Sequence, residues 1–440
     1  MGDTDTEARL AVGDEAGGDD APARQTDAPT PRLWQRYRRL PGNVFAISLV
    51  SLLNDASSEI IYPFLPLYLT LLGASPFAIG LIEGGAEAVS GLLKLFAGYL
   101  SDRRGRRKGL VVFGYGLSSL IRPLLAFTSA WSHVLLIRVA DRVGKGVRSA
   151  PRDALIADAA SPQERGLAFG FHRAMDHTGA VIGPLLGFAL LALIAVNHSA
   201  PTLRDYQLVF LLASIPALLA VLVAVFAVKE TRPGDERTEL KAPPRLSLRG
   251  FDSNFKRFLA ILALFTLSNS TDAFLLRRAS DAGVSATTIP LLWAALHVSK
   301  VLSSLYGGDL SDRVGRKRLI ASGWLLYAAV YAGFAYVSSV GWAWALFLVY
   351  GLYFGLVEGA EKALIADLVP ADKRGTAYGL YNLAITIAVL PASLLMGALW
   401  KWYGAQVAFL TSAALGALAA LLLALSVSPG AAQRERGALS

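Results

Sequence analysis

Apolar stretches long enough to cross a membrane recur along the whole chain, and this feature constrains the fold more than any other. A helix needs roughly 20 predominantly apolar residues to cross the hydrocarbon core of a bilayer, and residues 407–426 form one clear example. Of the 440 residues, 54% are hydrophobic and 17% are charged, whereas soluble domains carry about 25% charged residues. The chain is therefore predicted to be an all-α membrane protein.

Twelve spans fit the sequence, in two sets of six that are separated by a polar segment. We predict six-helix bundles at residues 41–228 and 256–428, joined by a cytoplasmic linker at 229–255. Residues 1–40, rich in Asp, Ala, Gly and Pro, are predicted to be a disordered cytoplasmic tail, and 429–440 a second tail. The predicted spans lie near 44–72, 76–100, 109–128, 132–157, 166–195, 206–228, 256–276, 285–310, 319–338, 342–367, 375–400 and 404–427.

Basic residues are concentrated in alternate loops, which orients the predicted spans. The sequences DRRGRRK (102–108), DRVGRKR (312–318) and DKRG (372–375) and the linker all fall on one side. The loops on the other side carry few cations, namely Arg204, Arg277, Arg278 and Lys401. Because cytoplasmic loops are enriched in Lys and Arg, we expect a multi-pass protein of the inner cell membrane with both termini in the cytoplasm.

The two sets of spans contain an internal repeat. GYLSDRRGRRK, which begins at Gly98, matches GDLSDRVGRKR, which begins 210 positions later at Gly308. ALIADAASPQERGLAFG from Ala154 likewise matches ALIADLVPADKRGTAYG from Ala363, 209 positions later. Parallel repeats of this kind predict two pseudo-symmetric six-helix bundles related by an axis along the membrane normal, with a cavity that both halves line.

The repeated loop resembles the signature G-x-L-x-D-R-x-G-R-[RK] of the major facilitator superfamily, and the resemblance covers about residues 40–428. It implies twelve transmembrane helices, transport by alternating access and no enzymatic chemistry. It also implies that the two loops form a cytoplasmic gate, in which the carboxylates pair with neighbouring Arg residues and helix N-termini and the glycines permit a tight turn. The gate residues are Gly98, Asp102, Arg103, Gly105, Arg106, Gly308, Asp312, Arg313, Gly315 and Arg316.

A second motif lies in the fifth span, where GAVIGPLLG runs from residue 179 to 187. It is similar to the G-x-x-x-G-P-x-x-G motif of the drug:proton antiporter-like branch of the superfamily. Gly179, Gly183 and Gly187 allow a neighbouring helix to approach closely, and Pro184 can bend the span. The resemblance favours export, whereas the sequence itself leaves open the direction of transport and whether protons or sodium ions are coupled.

The fourth span is unusually charged for a membrane helix. Five cations are spaced four, three, three and four residues apart, so they form one stripe on an α-helix. Each unpaired Arg or Lys at the bilayer centre costs at least about 2.5–3.5 kcal/mol, so we expect the stripe to face a wet cavity, acidic partners or both. The stripe consists of Arg138, Arg142, Lys145, Arg148 and Arg152, and Asp141 joins the same face.

Carboxylates that could pair with the stripe lie in the first two spans. Asp55 and Glu59 are one turn apart in the first span, and Glu83 and Glu87 are one turn apart in the second. We therefore predict a charge network between the first, second and fourth spans, which is either structural or proton-coupling. In the proton-coupling interpretation Asp55 and Glu59 are the carriers, Arg142 is the partner that switches, and Asp141 belongs to the same group, so that substrate binding alters proton affinity.

The second half is predicted to supply the other wall of the substrate cavity. Its charged residues do not repeat those of the first half, because the acid–base order in the tenth span is inverted relative to the fourth. Together with Glu83, Glu87, Lys145, Arg148 and Arg152, the candidate cavity residues are Asn269, Asp272, His297, Lys300, Tyr353, Glu358 and Glu361.

Several functional classes are disfavoured by what the sequence lacks. It has no cysteine and no metal-ligand spacing among its histidines, so we expect no metal and no cofactor. The sequence shows no phosphate-binding loop and no nucleophile elbow, which argues against an ATP-driven pump or an enzyme, and the net charge of +9 reflects membrane topology rather than nucleic-acid binding.

The leading hypothesis is a monomeric, proton-coupled exporter of small organic molecules in the lipid bilayer. The basic stripe leaves open a transporter of an anionic metabolite or a siderophore-like compound, bound through bidentate Arg contacts. A lipid or lysolipid transporter is a further alternative. A receptor or scaffold that moves nothing is the alternative from another class, although such a protein has no need of two gate loops.

Overall fold

The structure is a computed structural model that describes residues 40–104, 107–161, 164–198, 200–231, 247–370 and 373–428. Within these ranges the chain forms twelve long helices joined by short connections, and no strand occurs in them. The predicted tails and most of the predicted linker lie outside the described residues.

The helices follow the predicted spans closely. Those of the first half are α1 Gly42–Leu71, α2 Pro76–Arg104, α3 Lys108–Phe127, α4 Trp131–Ala159, α5 Arg165–Ile194 and α6 Leu203–Phe226. Those of the second half are α7 Ser253–Asp281, α8 Ile289–Val314, α9 Arg316–Tyr336, α10 Val340–Leu368, α11 Arg374–Tyr403 and α12 Ala405–Ser426. The sequence-based expectation of an all-α protein with twelve spans is confirmed.

Ten helices among the described residues are long and apolar enough to cross a membrane. Helix α8 contributes the shorter apolar stretch Ile289–Ser304, whereas α4 falls short because it carries the charged stripe. A hydropathy criterion therefore passes over α4, whose charged side chains face the interior of the bundle, which is where membrane proteins place them.

Four helices depart from regular α geometry, among them α6, which is divided at Ala213 into Leu203–Leu212 and Ser214–Phe226. Helix α1 passes through a 3₁₀ turn at Tyr62–Phe64, and α3 ends in a 3₁₀ segment at Arg122–Phe127, each next to a proline. Helix α7 is interrupted between its segments Ser253–Ser268 and Ala273–Asp281. Non-helical backbone at membrane depth is tolerated where it lines a cavity, and the α7 break does so.

Close helix contacts reproduce the internal repeat. A Cβ atom on Gly146 of α4 would lie 3.0 Å from the carbonyl oxygen of Ser90 in α2. Gly355 of α10, 209 positions later, is pressed in the same way against Ser303 of α8. The helix pairs α2–α4 and α8–α10 are thus related by the same pseudo-symmetry, and both depend on glycine.

The two halves meet at one end of the bundle. We call the end that bears loops 102–108 and 312–318 the basic end, and the other the opposite end. Among the described residues, the hydrogen bonds between the halves all join helix segments or loops nearer the opposite end. These bonds are Trp293–Glu59 (2.7 Å), Tyr62–Thr271 (3.4 Å), Arg277–Thr70 (3.1 Å) and Thr287–His198 (2.6 Å).

Helices α2 and α11 also close the opposite end. The side chain of Ser393 in α11 lies against Gly84 of α2, and Gly397 of α11 faces Pro76 at the start of α2. Toward the basic end, by contrast, Lys94 in α2 and Arg173 in α5 are exposed. The structure is therefore closed at the opposite end and open at the basic end.

Candidate functional site

A cavity of about 640 Å³ lies between the two halves, and it is large enough for a small organic molecule. Side chains of α1 to α5 form its first-half wall, and those of α7, α8, α10 and α11 form its second-half wall. The first-half wall is dominated by charged groups, whereas Trp293, Tyr350 and Phe354 give the second-half wall an aromatic surface.

The charged stripe of α4 points into the bundle, as the sequence predicts. Arg138 donates two hydrogen bonds to Glu83 of α2, from Nε at 2.9 Å and from Nη2 at 2.8 Å. Both side chains are buried. This bidentate geometry is the strong form of a carboxylate–guanidinium contact, and it ties α4 to α2.

Asp141 is an anion shared by several guanidinium groups. Its nearest partner is Arg122 of α3, whose Nε donates to Oδ1 over 3.0 Å. Arg138 and Arg142 approach the second oxygen at 3.9 and 4.0 Å. Arg122 also donates to the backbone carbonyl of Asn54 in α1. Asp141 thus holds α3 and α4 together from a fully enclosed position, which fits structural support better than proton exchange with solvent.

Glu87 of α2 engages the middle of the stripe. Its carboxylate lies 3.0 Å from Nη2 of Arg142 and 3.7 Å from Nζ of Lys145. Glu87 and Lys145 are each 40% exposed, so solvent in the cavity reaches this part of the network. The acidic partners of Arg142 are therefore Glu87 and, at a longer distance, Asp141.

The last two cations of the stripe have different partners, since Arg148 contacts neutral groups and Arg152 pairs with a carboxylate. Arg148 donates to the hydroxyl of Ser118 over 2.8 Å, and its guanidinium lies 4.5 Å from the centre of the Tyr115 ring. No carboxylate among the described residues lies within 4.0 Å of it. Arg152 pairs with the adjacent Asp153 and donates to Ser51 of α1.

The two carboxylates of α1 line the cavity, but they do not pair with Arg142 as predicted. Glu59 instead accepts a hydrogen bond of 2.7 Å from the indole N–H of Trp293 in α8. Asp55 accepts one from the side-chain amide of Asn54. Arg142 instead pairs with Glu87 and lies near Asp141, and its role as the switching partner of the α1 carboxylates stays a prediction.

The antiporter-like motif of α5 lies directly against the acidic face of α1. A Cβ atom on Gly183 would lie 2.6 Å from the Ala56 carbonyl oxygen and 2.7 Å from Cβ of Glu59. One on Gly179 would lie 3.1 Å from Cβ of Asp55, and one on Gly187 would meet Ile60. Pro184 is accommodated within a continuous helix. The motif is thus a packing surface that sets the positions of Asp55 and Glu59.

On the second-half wall, the interrupted segment of α7 brings Asn269 and Asp272 into the cavity lining together with His297 of α8. Asp272 accepts a hydrogen bond of 2.8 Å from the Tyr350 hydroxyl, and Nζ of Lys300 lies 3.9 Å from its other oxygen. Lys300 sits just behind the wall, 3.6 Å from the centre of the Phe354 ring.

Three further residues predicted to line the cavity lie elsewhere. Tyr353 is buried and stacks on Tyr350. Glu361 is buried within the second half, where it accepts hydrogen bonds from Trp324 and Tyr381. Glu358 is exposed and pairs with Lys362 one turn further on. It is not part of the cavity lining itself, but it lies near Arg173 and His177, which are.

The predicted gate is described only in part. Gly105 and Arg106 lie outside the described residues, and so do the side chains of Asp102, Arg103 and Asp312. Gly98 and Gly308 lie in helical backbone of α2 and α8.

In the second loop Gly315 has a φ of 94°, a backbone conformation that favours glycine. The next residue, Arg316, forms an ion pair with Asp367 at the end of α10, in which Nη1 lies 2.5 Å from the carboxylate. Arg313 lies in the last turn of α8. In the first loop Arg107 pairs with Asp158 at the end of α4.

These loop contacts refine the internal repeat. Arg107 and Asp158 are equivalent to Arg316 and Asp367 at a spacing of 209, although the preceding motif repeats at 210. The first loop therefore contains one extra residue after its glycine. Its carboxylate partner at the end of α4 belongs to the second repeated motif, so the structure joins the two motifs into one contact.

Several charged residues of the cavity were not predicted. Arg122 is the isolated charge of an apolar span, and Lys94, Arg173 and Asp176 also line the cavity. An ionisable residue inside a membrane helix is a functional candidate in its own right, and this signal was present in the sequence. Trp293 carried no such signal, because tryptophan is common in apolar spans.

Twelve helices in two halves, with a charged cavity open at one end, define a membrane transporter. The sequence model of the Major Facilitator Superfamily matches residues 47–388 and 258–439. The chain belongs to this superfamily, and its family and fold are those of transporters, not enzymes.

Similar proteins agree with this assignment. An uncharacterised transporter of the superfamily from Methanocaldococcus jannaschii is 34% identical over 392 residues, which cover 88% of this chain and 95% of the relative. The multidrug resistance protein MdtG of Serratia proteamaculans is 26% identical over 67% of this chain and 70% of its own length. Among solved structures, a bacterial homologue of the human lysosomal transporter Spinster has a TM-score of 0.72 at 17% identity, covering 90% of this chain and 97% of its own.

Proposed function

We propose that the protein is a proton-coupled secondary transporter that exports small organic molecules by alternating access, with Glu59 as the principal proton carrier. One observation carries this proposal. Glu59 is a carboxyl group in the wall of a cavity that opens at one end, and among the described residues its hydrogen-bond donor is the neutral indole of Trp293 and no cation lies within 4.0 Å of it. A carboxyl group that no cation neutralises can gain or lose a proton without breaking an ion pair.

The other carboxylates of the first-half wall are less suited to this task. Glu83 and Glu87 are held by Arg138 and Arg142 at 2.8 and 3.0 Å. Protonation of either would remove the nearest anion from a largely buried guanidinium, which is costly. Asp55 lies one turn from Glu59 and is hydrogen-bonded to Asn54, so it is the second candidate.

The direction of transport rests on similarity and on charge. The glycine motif of α5 is in place against Glu59, and MdtG, a relative, is named for multidrug resistance. The basic end, to which the cavity opens, is cytoplasmic by the distribution of Lys and Arg. An exporter collects its substrate from that side.

A second candidate is a transporter of organic anions. Arg148 lines the cavity and lacks a carboxylate partner within 4.0 Å among the described residues, so it could receive a substrate carboxylate by a charge-assisted hydrogen bond. This candidate shares the fold and the proton carrier, and differs in the chemical class of the substrate.

Both candidates are tested in proteoliposomes that contain a pH-sensitive dye and experience an imposed pH gradient. A panel of organic cations, anions and neutral compounds is added, and substrate-dependent proton flux is recorded. The wild-type protein should give flux with one class, which then identifies the substrate. Glu59→Gln should reduce coupled flux to the level of empty liposomes, because an amide side chain does not ionise and so cannot carry the transported proton.

The matched control is Glu164→Gln, which removes a carboxyl group beside Ser161 before the start of α5, outside the cavity lining, and should leave the flux unchanged. Thermal stability in detergent should be similar for both variants, which shows that folding is intact. Full coupled flux in Glu59→Gln would exclude Glu59 as the carrier, and absence of flux with every compound would favour the receptor alternative.

A further inference from the structure

The hydrogen bond between Trp293 and Glu59 connects the two halves of the molecule. The indole Nε1–H of α8 donates to Oε2 of α1 over 2.7 Å. The indole is 4% exposed and is held in place by Tyr62, whose ring centre lies 5.0 Å away. His297 meets it edge-on at 5.1 Å. The contact is thus packed between aromatic side chains and lies at the end of the cavity farthest from its opening.

Charged groups from several helices surround Glu59, and none is its direct partner. Asp55 is on the same helix, Arg142 and Lys145 approach from α4, and Lys300 approaches from α8. The α4 cations lie closest to Glu87 and Asp141, and Lys300 lies closest to Asp272. Helix α5 packs against Glu59 with Gly183, and its titratable Asp176 and His177 line the same cavity near Asp55. The neutral indole is therefore the group that senses whether Glu59 is charged.

We propose that Trp293 is the positioning residue that connects the protonation of Glu59 to closure of the opposite end. This inference rests on the proposed function, since it takes Glu59 as the proton carrier. A hydrogen bond to an ionised carboxylate is roughly twice as strong as one between neutral groups. The ionised Glu59 therefore holds α8 against α1, and the protonated Glu59 holds it more weakly.

The direction of the effect follows from the position of the bond. Among the described residues, the four hydrogen bonds between the halves lie toward the opposite end. Weakening one of them therefore favours opening of that end. Loss of a proton favours the present arrangement, in which the cavity opens at the basic end. By linkage, the conformation that lacks the Trp293 bond must bind the proton on Glu59 more tightly.

The absence of cysteine from the chain allows this to be measured by site-specific labelling without removing native residues. Ser129 and Ser338 are exposed, lie in the loops before α4 and α10, and are related by the 209-residue repeat. A Ser129→Cys/Ser338→Cys protein carries a spin label on each cysteine. Pulsed electron–electron double resonance then gives the distance between the two labels across the opposite end. The distance distribution is recorded in nanodiscs between pH 5 and pH 9.

In the labelled protein, acidification should move population from the short distance to a longer one. Trp293→Phe keeps an aromatic ring and removes the N–H. At alkaline pH it should raise the ratio of long to short distances about tenfold, which corresponds to about 1.4 kcal/mol, and it should abolish the pH response. Glu59→Gln should produce the same shift, because a neutral amide imitates the protonated acid.

The chain supplies a matched control. Trp324 of α9 donates its indole N–H to Glu361 of α10 over 3.1 Å, a bond of the same kind that lies within the second half. Trp324→Phe should leave the pH response of the distance distribution unchanged. Trp342→Phe, at an exposed position, controls for loss of a tryptophan in general.

A Trp293→Phe protein that is folded, closed and still responsive to pH would overturn the proposal, as would a wild-type protein without any pH response. A shift in Trp324→Phe equal to that in Trp293→Phe would also overturn it. Failure of the proposed function looks different, because the protein would then show the pH-dependent distances without substrate-dependent proton flux in liposomes. A Glu59→Gln protein that retains coupled flux while shifting the distances would separate the two in the same way.

Discussion

Replacement of Asp141 is the most informative test of the charge network, because this one anion serves three guanidinium groups. Its side chain is 3% exposed, and its closest partner Arg122 is 4% exposed. In Asp141→Asn the charge disappears while the shape is kept, so Arg122, Arg138 and Arg142 remain near one another without their shared anion. We expect this variant to be severely destabilised.

The magnitude follows from the geometry. Removing one partner of a buried ion pair costs about 3–5 kcal/mol, since the other charge stays buried, and here three charges are affected. Arg122→Met should cost less, about 1–3 kcal/mol, because Asp141 keeps Arg138 and Arg142 at 3.9 and 4.0 Å. The double variant should lose less stability than the two single variants together, and the difference, the coupling free energy, should be about 0.5–3 kcal/mol.

The measurement is reversible unfolding in mixed micelles with increasing sodium dodecyl sulfate, which gives free energies of unfolding. Asp153→Asn is the control, since its carboxylate is half exposed and pairs with the adjacent Arg152, so it should change stability by less than about 1 kcal/mol. Equal losses for Asp141→Asn and Asp153→Asn, or strict additivity in the double variant, would refute the shared-anion argument.

Two further predictions concern glycine contacts and can be read from melting temperatures in detergent. Gly183→Ala should lower stability by about 1–3 kcal/mol through overpacking, and it should also impair coupled flux because the new methyl group meets Glu59. Gly170→Ala in the same helix places its methyl group in open space and should leave stability unchanged. Gly355→Ala should be destabilising because its Cβ would fall on α8, whereas Gly359→Ala in the same helix meets nothing within 4 Å. Equal effects within either pair would contradict the packing that the structure shows.

The positions of the helices could be predicted from the sequence to within a few residues. The span predicted at 132–157 is the helix Trp131–Ala159, for example. Hydropathy, loop charges and the internal repeat act along the chain, and span positions depend on these alone. The interruption of α7 was missed, because the polar run at residues 268–272 contains neither proline nor glycine.

Side-chain partners were harder to predict. The stripe on α4 correctly indicated an inward face, since periodicity shows which residues of one helix share a side. It does not show how neighbouring helices are rotated about their own axes, and this rotation decides that Arg142 meets Glu87 and that Glu59 meets Trp293. Arg122 belongs to no periodic stripe, so its only signal was that it is a charge within an apolar span.

The unequal division of polar groups between the two walls has an evolutionary consequence. On the first-half wall, ion pairs interlock, so one altered residue disturbs several others. Rings such as Phe354 and Tyr350 on the facing wall can be exchanged for other uncharged side chains one at a time. Diversification of cargo among descendants of this protein should therefore accumulate in the second half, while the ionic half is inherited nearly intact.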